Sequence, residues 1–164
     1  MASTLFLSAS QSNALATLAA AVAWNLTVFT SYNYFYGNLK KGISLDRGKK
    51  WNDKRIIGDG RTFSGLHVAL LLGATAHLVT QQTLFINAAI GANAGTVINS
   101  VIKRRLGIKR GAGDAPTDYF DHTLGALLFT APVHTINLPL YITGAFLIAA
   151  THKAIDTYIR PSFT

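Results

Sequence analysis

Residues 83–102 read TLFINAAIGANAGTVINSVI, a stretch of twenty residues without a formal charge. A helix needs about 20 predominantly apolar residues to cross the hydrocarbon core of a bilayer. Small residues such as those in this stretch allow neighbouring helices to approach closely. Lys103, Arg104 and Arg105 follow immediately and mark a return to a polar environment. The stretch therefore predicts a membrane-spanning helix with a basic carboxyl end.

Charged and uncharged segments alternate along the rest of the chain. The fifteen Lys and Arg residues and the seven Asp residues fall only within residues 40–61, 103–121 and 153–160. A charge at the centre of a spanning helix costs roughly 2.5–3.5 kcal/mol on insertion scales, so this segregation is typical of a bilayer protein. It predicts four or five spans, at residues 14–36, 62–80, 83–102, 118–133 and 134–155, with Pro139 kinking the last. The fourth of these segments is the weakest, because a helix of its length extends only about 24 Å and is short for a bilayer.

The distribution of cations also predicts the topology. Five spans place all three charged segments on one side of the membrane, and the positive-inside rule makes that side the cytoplasm. We therefore expect an all-α, multi-pass protein of the cell membrane, with its amino terminus outside and its carboxyl terminus in the cytoplasm. Because neither a linker nor an internal repeat interrupts the sequence, residues 1–164 are expected to form a single membrane-embedded domain.

Groups that bind phosphate are concentrated after the third predicted span. Ser100, Lys103 and Arg104 are spaced i, i+3 and i+4, so they share one face of a helix. Lys109 and Arg110 follow at a bend before a glycine. A simpler explanation, that cations only hold loops in the cytoplasm, suits the first charged segment better than this one. The pattern predicts that a hydroxyl and several cations bind a polyanion.

Two carboxylates follow the same bend. Asp118 and Asp121 are spaced i and i+3, which places them on one helical face. Their charges repel unless a cation lies between them, and Mg²⁺ binds one or two carboxylates together with substrate phosphates. The alternative is a pair of solvated carboxylates favoured by the dipole at the start of a helix. Together with the neighbouring cations, the pair indicates a Mg²⁺ site.

A glycine-rich turn precedes the second predicted span. Residues 58–65 read GDGRTFSG. Glycines let backbone N–H groups approach an anion, and the start of a helix adds partial positive charge. The order of residues differs from the Walker A motif, so the turn is a third, weaker indication of phosphate binding.

Together these three elements resemble the CDP-diacylglycerol synthase superfamily of integral membrane cytidylyltransferases. Residues 59–65, DGRTFSG, are similar to the superfamily's Pro-Gly-Lys-Thr-Trp-x-Gly segment. Residues 100–104, SVIKR, match Ser-x-x-Lys-Arg, and residues 118–121, DYFD, match its Asp-x-x-Asp pair. The segments KRRLGIKRG at 103–111 and LGALLF at 124–129 narrow the resemblance to the archaeal branch, the CDP-archaeol synthases.

This resemblance implies transfer of CMP from CTP to the phosphate of an archaeal ether lipid, 2,3-bis-O-geranylgeranylglyceryl phosphate, giving CDP-archaeol and pyrophosphate. The expected partners are CTP, the lipid phosphate and membrane lipids. Asp118 and Asp121 would hold Mg²⁺, the expected cofactor, and Lys103 would act with them in catalysis. The expected substrate-binding residues are Gly60, Arg61, Thr62, Ser100, Arg104, Lys109 and Arg110.

The chain departs from the bacterial pattern upstream of Ser100. Thr96 and Asn99, both neutral, stand where bacterial relatives have acidic residues. This leaves Asp118 and Asp121 as the main metal carboxylates and Asp59 as a candidate helper. For Asn99, hydrogen bonding between helices is the favoured role over nucleotide binding. For His122, an interfacial polar role is favoured over acid–base catalysis.

Other functional classes fit the sequence less well. A small transporter or anion channel for a phosphorylated solute would use the basic loops as a funnel and the Asp pair as a gate, but no inverted repeat is visible. The Asp-x-x-Asp-Gly-x-x-Ala-Arg pattern of CDP-alcohol phosphotransferases is missing. The net charge of +8 lies in loops between spans, which favours headgroups or a phosphorylated substrate over nucleic acid. No feature of the sequence indicates an obligate protein partner.

Overall fold

The computed structural model describes residues 7–34, 42–108 and 116–154. Most of these residues lie in five α-helices: α1 (Ala9–Tyr34), α2 (Phe63–Thr80), α3 (Leu84–Arg105), α4 (Asp121–Thr130) and α5 (Leu138–Ala154). A 3₁₀ helix, Pro116–Tyr119, precedes α4, and a short antiparallel hairpin of β1 (Lys50–Trp51) and β2 (Lys54–Arg55) connects α1 to α2 in sequence. The prediction of a mostly helical protein is confirmed.

Two helices in the described part of the chain, α2 and α3, are long and apolar enough to cross a bilayer. Large apolar side chains such as Leu71, Val79 and Ile98 lie exposed on their outer surfaces. Such exposure is unfavourable in water and suits contact with lipid chains. Membrane crossing by all five helices stays a prediction.

The ends of α2 are determined by local hydrogen bonds. Thr62 caps the amino end, where its hydroxyl accepts a hydrogen bond from the Gly65 N–H at 3.2 Å. At the other end Gln81 adopts a left-handed conformation with φ of 57°, and its N–H donates to the His77 carbonyl. Both caps satisfy backbone groups that a helix end would otherwise leave unpaired. The predicted span at 62–80 therefore agrees closely with α2.

The fourth predicted span differs from the structure. Residues 118–133 do not form one helix, because Asp118 lies in the 3₁₀ helix and α4 contains only 10 residues. An α-helix of that length extends about 15 Å, about half the thickness of the hydrocarbon core. The prediction of a continuous spanning helix here is wrong, and α4 by itself cannot cross the membrane.

The predicted kink at Pro139 is also wrong. Pro139 is the second residue of α5, which begins at Leu138. Proline fits the first turn of a helix because the N–H that it lacks would have no partner within the helix at that position. The residue therefore belongs to the start of α5 and leaves the rest of the helix undisturbed.

Glycines allow α3 and α4 to pack in direct backbone contact. A Cβ atom at Gly95 would overlap the carbonyl oxygen of Asp121, and a Cβ atom at Gly125 would overlap the carbonyl oxygen of Gly91. The wider core is also built of small side chains, with Ala21, Ala69, Ala88, Ala92 and Ala126 buried in one cluster. Close packing of this kind favours helix association in lipid. It also fixes the start of α4, and thus Asp121, against α3.

A buried carboxylate organises the loop that carries the hairpin. Asp46 accepts two hydrogen bonds from the Arg55 guanidinium, at 2.6 and 3.2 Å, and further bonds from the N–H groups of Ile57 and Gly58, both at 2.9 Å. Burial would raise the pKa of Asp46, but the bonds from Arg55, Gly58, Ile57 and Gly48 outweigh it and hold that pKa well below its usual range. Asp46 therefore stays ionised and ties the hairpin to the glycine-rich turn.

Arg105 attaches this hairpin to the end of α3. Its guanidinium donates to the backbone carbonyls of Trp51 and Arg55 at 2.8 and 2.9 Å. The same group lies 5.0 Å from the centre of the Trp51 ring, within the range of a cation–π contact. The basic end of α3 thus supports a folded loop in addition to carrying charge.

Candidate active site

The two predicted carboxylates lie together, bridged by a side chain from α3. The Asn99 amide Nδ2 donates to Asp118 Oδ1 at 2.7 Å and to Asp121 Oδ2 at 3.0 Å. Asn99 is itself buried, so its amide has few alternative partners. The expected hydrogen bonding between helices is confirmed for this residue. The Asn99 amide holds the two like-charged carboxylates close together at the start of α4.

Cations from two segments of the chain compensate these carboxylates. Lys103 Nζ lies 2.5 Å from Asp118 Oδ2, and Arg61 Nη2 lies 3.8 Å from Asp121 Oδ2. Arg61 also donates through Nε to Ser100 Oγ at 3.2 Å. The structure therefore brings Arg61 of the glycine-rich turn to the same place as Ser100 and Lys103 of α3. Segments distant in sequence form one charged cluster.

The second oxygen of Asp121 is held by the next residue. The His122 backbone N–H donates to Asp121 Oδ1 at 2.7 Å, and His122 Nδ1 lies 3.2 Å from that oxygen. His122 is only 1% exposed. Its Nε2 has no hydrogen-bond partner in the described part of the chain. His122 is therefore packed inside the protein, and a position at the depth of the membrane interface stays a prediction.

The carboxylate cluster has the donor chemistry of a Mg²⁺ site. Asp118 and Asp121 offer hard oxygen atoms close together, and Lys103 and Arg61 supply the positive charge that stabilises the pair in this structure. No group of three His, Cys, Asp or Glu residues that could hold a metal occurs among the described residues. A metal here would thus use two protein carboxylates and take its other ligands from water or substrate, as Mg²⁺ commonly does.

Some predicted residues lie apart from this cluster. Asp59 is 58% exposed and pairs with Arg55 at 2.9 Å, so the structure does not bring it to Asp118 and Asp121. Arg104 donates to the Ile108 carbonyl at 2.6 Å, and its Nε lies against Gly58. Lys109 and Arg110 lie outside the described residues.

The other residues of the glycine-rich turn have mainly local roles. Gly60 is exposed, and the Thr62 hydroxyl is occupied by the Gly65 N–H and by contact with Ser64. The N–H of Gly58 is used by Asp46. Within this turn, Arg61 has the side chain that reaches the carboxylate cluster. The N–H groups of Gly58, Phe63 and Gly65 are therefore committed within the protein, and anion binding by the rest of the turn stays a prediction.

An apolar groove of about 380 Å³ runs between α3 and α4 from the carboxylate cluster. Asn99 and Asp121 line it at the start of α4, and Leu128 and Phe129 line it near the end of that helix. Exposed Ile98, Ile102 and Leu124 complete its sides. Its shape depends on how α3 and α4 pack, which the sequence alone does not determine. Its surface is apolar along its length and begins beside Asn99 and Asp121, which suits the hydrocarbon chain of a molecule whose charged head lies at the carboxylate cluster.

Comparison with known proteins identifies the family. Residues 75–160 match the family model described as CarS-like, CDP-archaeol synthase. A CDP-archaeol synthase of Sulfolobus acidocaldarius is 33% identical over 124 residues, which cover 70% of this chain and 76% of the relative. The chain belongs to the CDP-archaeol synthase family. The resemblance that the charged motifs predicted is confirmed.

Further relatives agree in sequence and in fold. A CDP-archaeol synthase of Pyrobaculum calidifontis is 32% identical over 126 residues, covering 72% of this chain and 76% of the relative. A solved structure described as an intramembrane enzyme for archaeal membrane lipids biosynthesis has a TM-score of 0.62 and 26% identity. That likeness covers 88% of this chain and 91% of the other. Together with its apolar helices, these relatives identify the chain as a membrane protein.

The sequence alone does not indicate which residues support the site. Asp46 and Arg55 appeared only as members of a charged segment, and Arg105 only as one of several cations. Nothing in their spacing indicates which of many charges is buried. Two pairs of apolar residues that line the groove, Ile98–Ile102 and Leu124–Leu128, are spaced i and i+4 in the sequence. That pattern is also what lipid-facing helices show, so it does not by itself predict a groove.

Proposed function

We propose that this protein transfers CMP from CTP to the phosphate of 2,3-bis-O-geranylgeranylglyceryl phosphate, giving CDP-archaeol and pyrophosphate, with Mg²⁺ as cofactor. The observation that carries the proposal is the charged cluster at the end of an apolar groove, in a chain of the CDP-archaeol synthase family. A polyanionic nucleotide and a lipid phosphate can meet at such a junction.

The chemistry requires no protein nucleophile. An oxygen of the lipid phosphate attacks the α-phosphorus of CTP, and a new P–O bond forms. The bond from that phosphorus to the bridging oxygen of the β-phosphate breaks, and pyrophosphate leaves with the electron pair. The protein must neutralise two polyanions and hold them in line. Arg61, Lys103 and Ser100 supply two cations and a hydroxyl for this role.

Asp118 and Asp121 would hold Mg²⁺, which when bound neutralises charge on the reacting phosphates. In the structure Lys103 pairs with Asp118 at 2.5 Å. With Asp118 committed to Mg²⁺, the Lys103 ammonium would be available to contact a phosphate. We propose that Lys103 then stabilises the charge that develops on the leaving pyrophosphate.

The groove would hold the hydrocarbon part of the lipid. With the lipid phosphate near Asp121, its chains would run along Leu124, Leu128 and Phe129. These side chains are partly exposed, so a lipid could enter sideways from the bilayer. The site would open to the cytoplasm at its charged end. This arrangement lets a water-soluble and a membrane-bound substrate reach the same atoms.

The test is CTP-dependent pyrophosphate release by purified protein in detergent, with and without the lipid phosphate. Detergent abolishes any gradient, so a transporter or anion channel would release no pyrophosphate. Wild type should give a lipid-dependent signal. Lys103→Ala should lower turnover far more than it weakens CTP binding, because the charge that Lys103 meets is greatest in the transition state.

Lys50→Ala is the matched control, since Lys50 is exposed on the hairpin outside the charged cluster. It should retain wild-type turnover. If wild type releases no pyrophosphate with any archaeal, glycerolipid or polyprenyl phosphate, the synthase proposal fails and the transporter becomes the better hypothesis.

A further inference from the structure

His122 interacts with the carboxylate cluster at two points, but its side chain cannot contact a substrate bound there. It is the second residue of α4 and is 1% exposed. The lining of the groove includes Asp121, Leu124 and Gly125, and His122 is not among these residues. A substrate in the groove would therefore meet Asp121, whereas the imidazole lies on the packed side of the helix. Acid–base contact with a substrate is not available to it.

The hydrogen-bond pattern assigns the proton on the imidazole. Asp121 Oδ1 belongs to an ionised carboxylate, which can only accept hydrogen bonds. His122 Nδ1, 3.2 Å from that oxygen, must therefore carry the proton. Nε2 is buried and has no partner among the described residues, so a proton there would be left without an acceptor. The tautomer with its proton on Nδ1 therefore fits this site.

The two oxygens of Asp121 thus have separate tasks. Oδ1 receives the backbone N–H and the imidazole N–H of His122. Oδ2 receives Asn99 Nδ2 and lies near Arg61 Nη2, on the side of the second carboxylate. These two hydrogen bonds to Oδ1 prevent rotation of the carboxylate. Oδ2 is consequently presented in one orientation.

We propose that His122 is a positioning residue that orients the Asp121 carboxylate for Mg²⁺. The inference rests on the metal site of the proposed function and adds a residue to it. Hydrogen-bond partners of metal-binding groups typically contribute 10–100-fold to metal affinity. The loss of the imidazole N–H should thus weaken metal binding without removing either carboxylate.

Two substitutions separate positioning from packing. Asn places an amide N–H close to the position of Nδ1 but leaves part of the ring volume empty, whereas Phe fills the volume but donates no hydrogen bond. If His122 orients Asp121, His122→Asn should resemble wild type and His122→Phe should be impaired. If His122 only fills space, the order should be reversed, because a cavity is destabilising.

The first measurement is the dissociation constant of Mn²⁺ in detergent without nucleotide. It is determined from the electron paramagnetic resonance signal of unbound Mn²⁺. We expect affinity about tenfold weaker or more for His122→Phe and within about threefold of wild type for His122→Asn. The second is the Mg²⁺ dependence of pyrophosphate release. There His122→Phe should need more Mg²⁺ for half-maximal rate and recover most of its turnover at saturation.

Controls keep the outcomes distinct. His134→Asn, at the Thr83 contact away from the cluster, should leave Mn²⁺ affinity unchanged. Equal Mn²⁺ affinity in wild type and His122→Phe overturns the inference and leaves the proposed function standing. Impaired affinity in His122→Asn with normal affinity in His122→Phe also overturns it. An absence of Mn²⁺ binding by wild type overturns the metal site and this inference with it.

Discussion

At the scale of single residues, the site depends on charges that are stable only together. Asp118 and Asp121 would repel each other if the amide of Asn99 and the cations Lys103 and Arg61 did not lie within contact distance. Each of these partners comes from a different turn or segment. Removal of one charge leaves its partner unpaired in a partly buried environment. Substitutions in the cluster should therefore affect function more than substitutions of exposed charged residues.

Neutralising either carboxylate tests the metal site. Asp118→Asn or Asp121→Asn should lower pyrophosphate release to less than about a tenth of wild type, because an amide cannot replace a carboxylate on Mg²⁺. Gel filtration should show that the variant still elutes as a single species. Retention of more than about a tenth of the activity, a loss below ~1.4 kcal/mol in the transition state, would mean that the residue is not an essential ligand.

Asp46 makes the loop between α1 and α2 sensitive to acid. Its folded pKa lies well below its value in an unfolded chain, so its contribution to stability is present above about pH 4 and is lost as the pH falls further. Limited proteolysis of residues 42–61 should become faster on acidification from pH 5 to pH 3 in wild type. Asp46→Asn should be cleaved readily throughout, with little pH dependence.

Asp53→Asn provides the control for this loop. Asp53 lies exposed in the hairpin turn with φ of 59°, a conformation that Asn tolerates well. Its cleavage profile should match that of wild type. Acid sensitivity retained by Asp46→Asn would show that another group controls the loop.

At the scale of helices, the site is built on the contact between α3 and α4. Gly91, Gly95 and Gly125 remove the side chains that would separate the two backbones. Asp121 is consequently held beside Asn99, although α4 has only 10 residues. A short helix can hold a carboxylate in a defined place when a longer helix determines its position.

Widening this contact should displace the carboxylate. Gly95→Ala places a methyl group where the Asp121 carbonyl lies, so α4 must shift, at a cost of about 1–3 kcal/mol typical of overpacking. We expect a lower melting temperature in detergent and a large loss of pyrophosphate release. Gly65→Ala, whose new Cβ atom would meet its nearest neighbour at an ordinary 3.4 Å, should change little. Equal effects of the two substitutions would exclude the packing explanation.

At the scale of the whole molecule, the proposed function requires the charged cluster and the groove to lie at a defined depth in the bilayer. We propose five crossings with an external amino terminus, in which the fourth uses the short α4 together with the 3₁₀ helix before it and the turn after it. In this proposal the 3₁₀ helix would lie at the cytoplasmic end of that crossing. The charged cluster then lies at the cytoplasmic surface and the groove extends into the hydrocarbon region.

Accessibility of introduced cysteines tests this topology, because the native chain contains no Cys. Cysteines placed at Gly48 and Gly111 should react with an impermeant thiol reagent only after the cytoplasmic face is opened. Cysteines at Gln81 and Thr135 should react in intact cells. Labelling of position 48 from outside would contradict the proposed orientation.

The sequence by itself determined the helical architecture, the boundaries of α2 and the family, because charge segregation, helix caps and spaced motifs are local properties of the chain. It also predicted that Asp118 and Asp121 lie together, since they are spaced i and i+3. Only the tertiary structure decided that Arg61 joins Ser100, that Asn99 bridges the carboxylates and that His122 is buried. It also decided that α4 is short and that a groove follows it. These features depend on which helix surfaces meet, and glycine contacts between distant segments determine that arrangement.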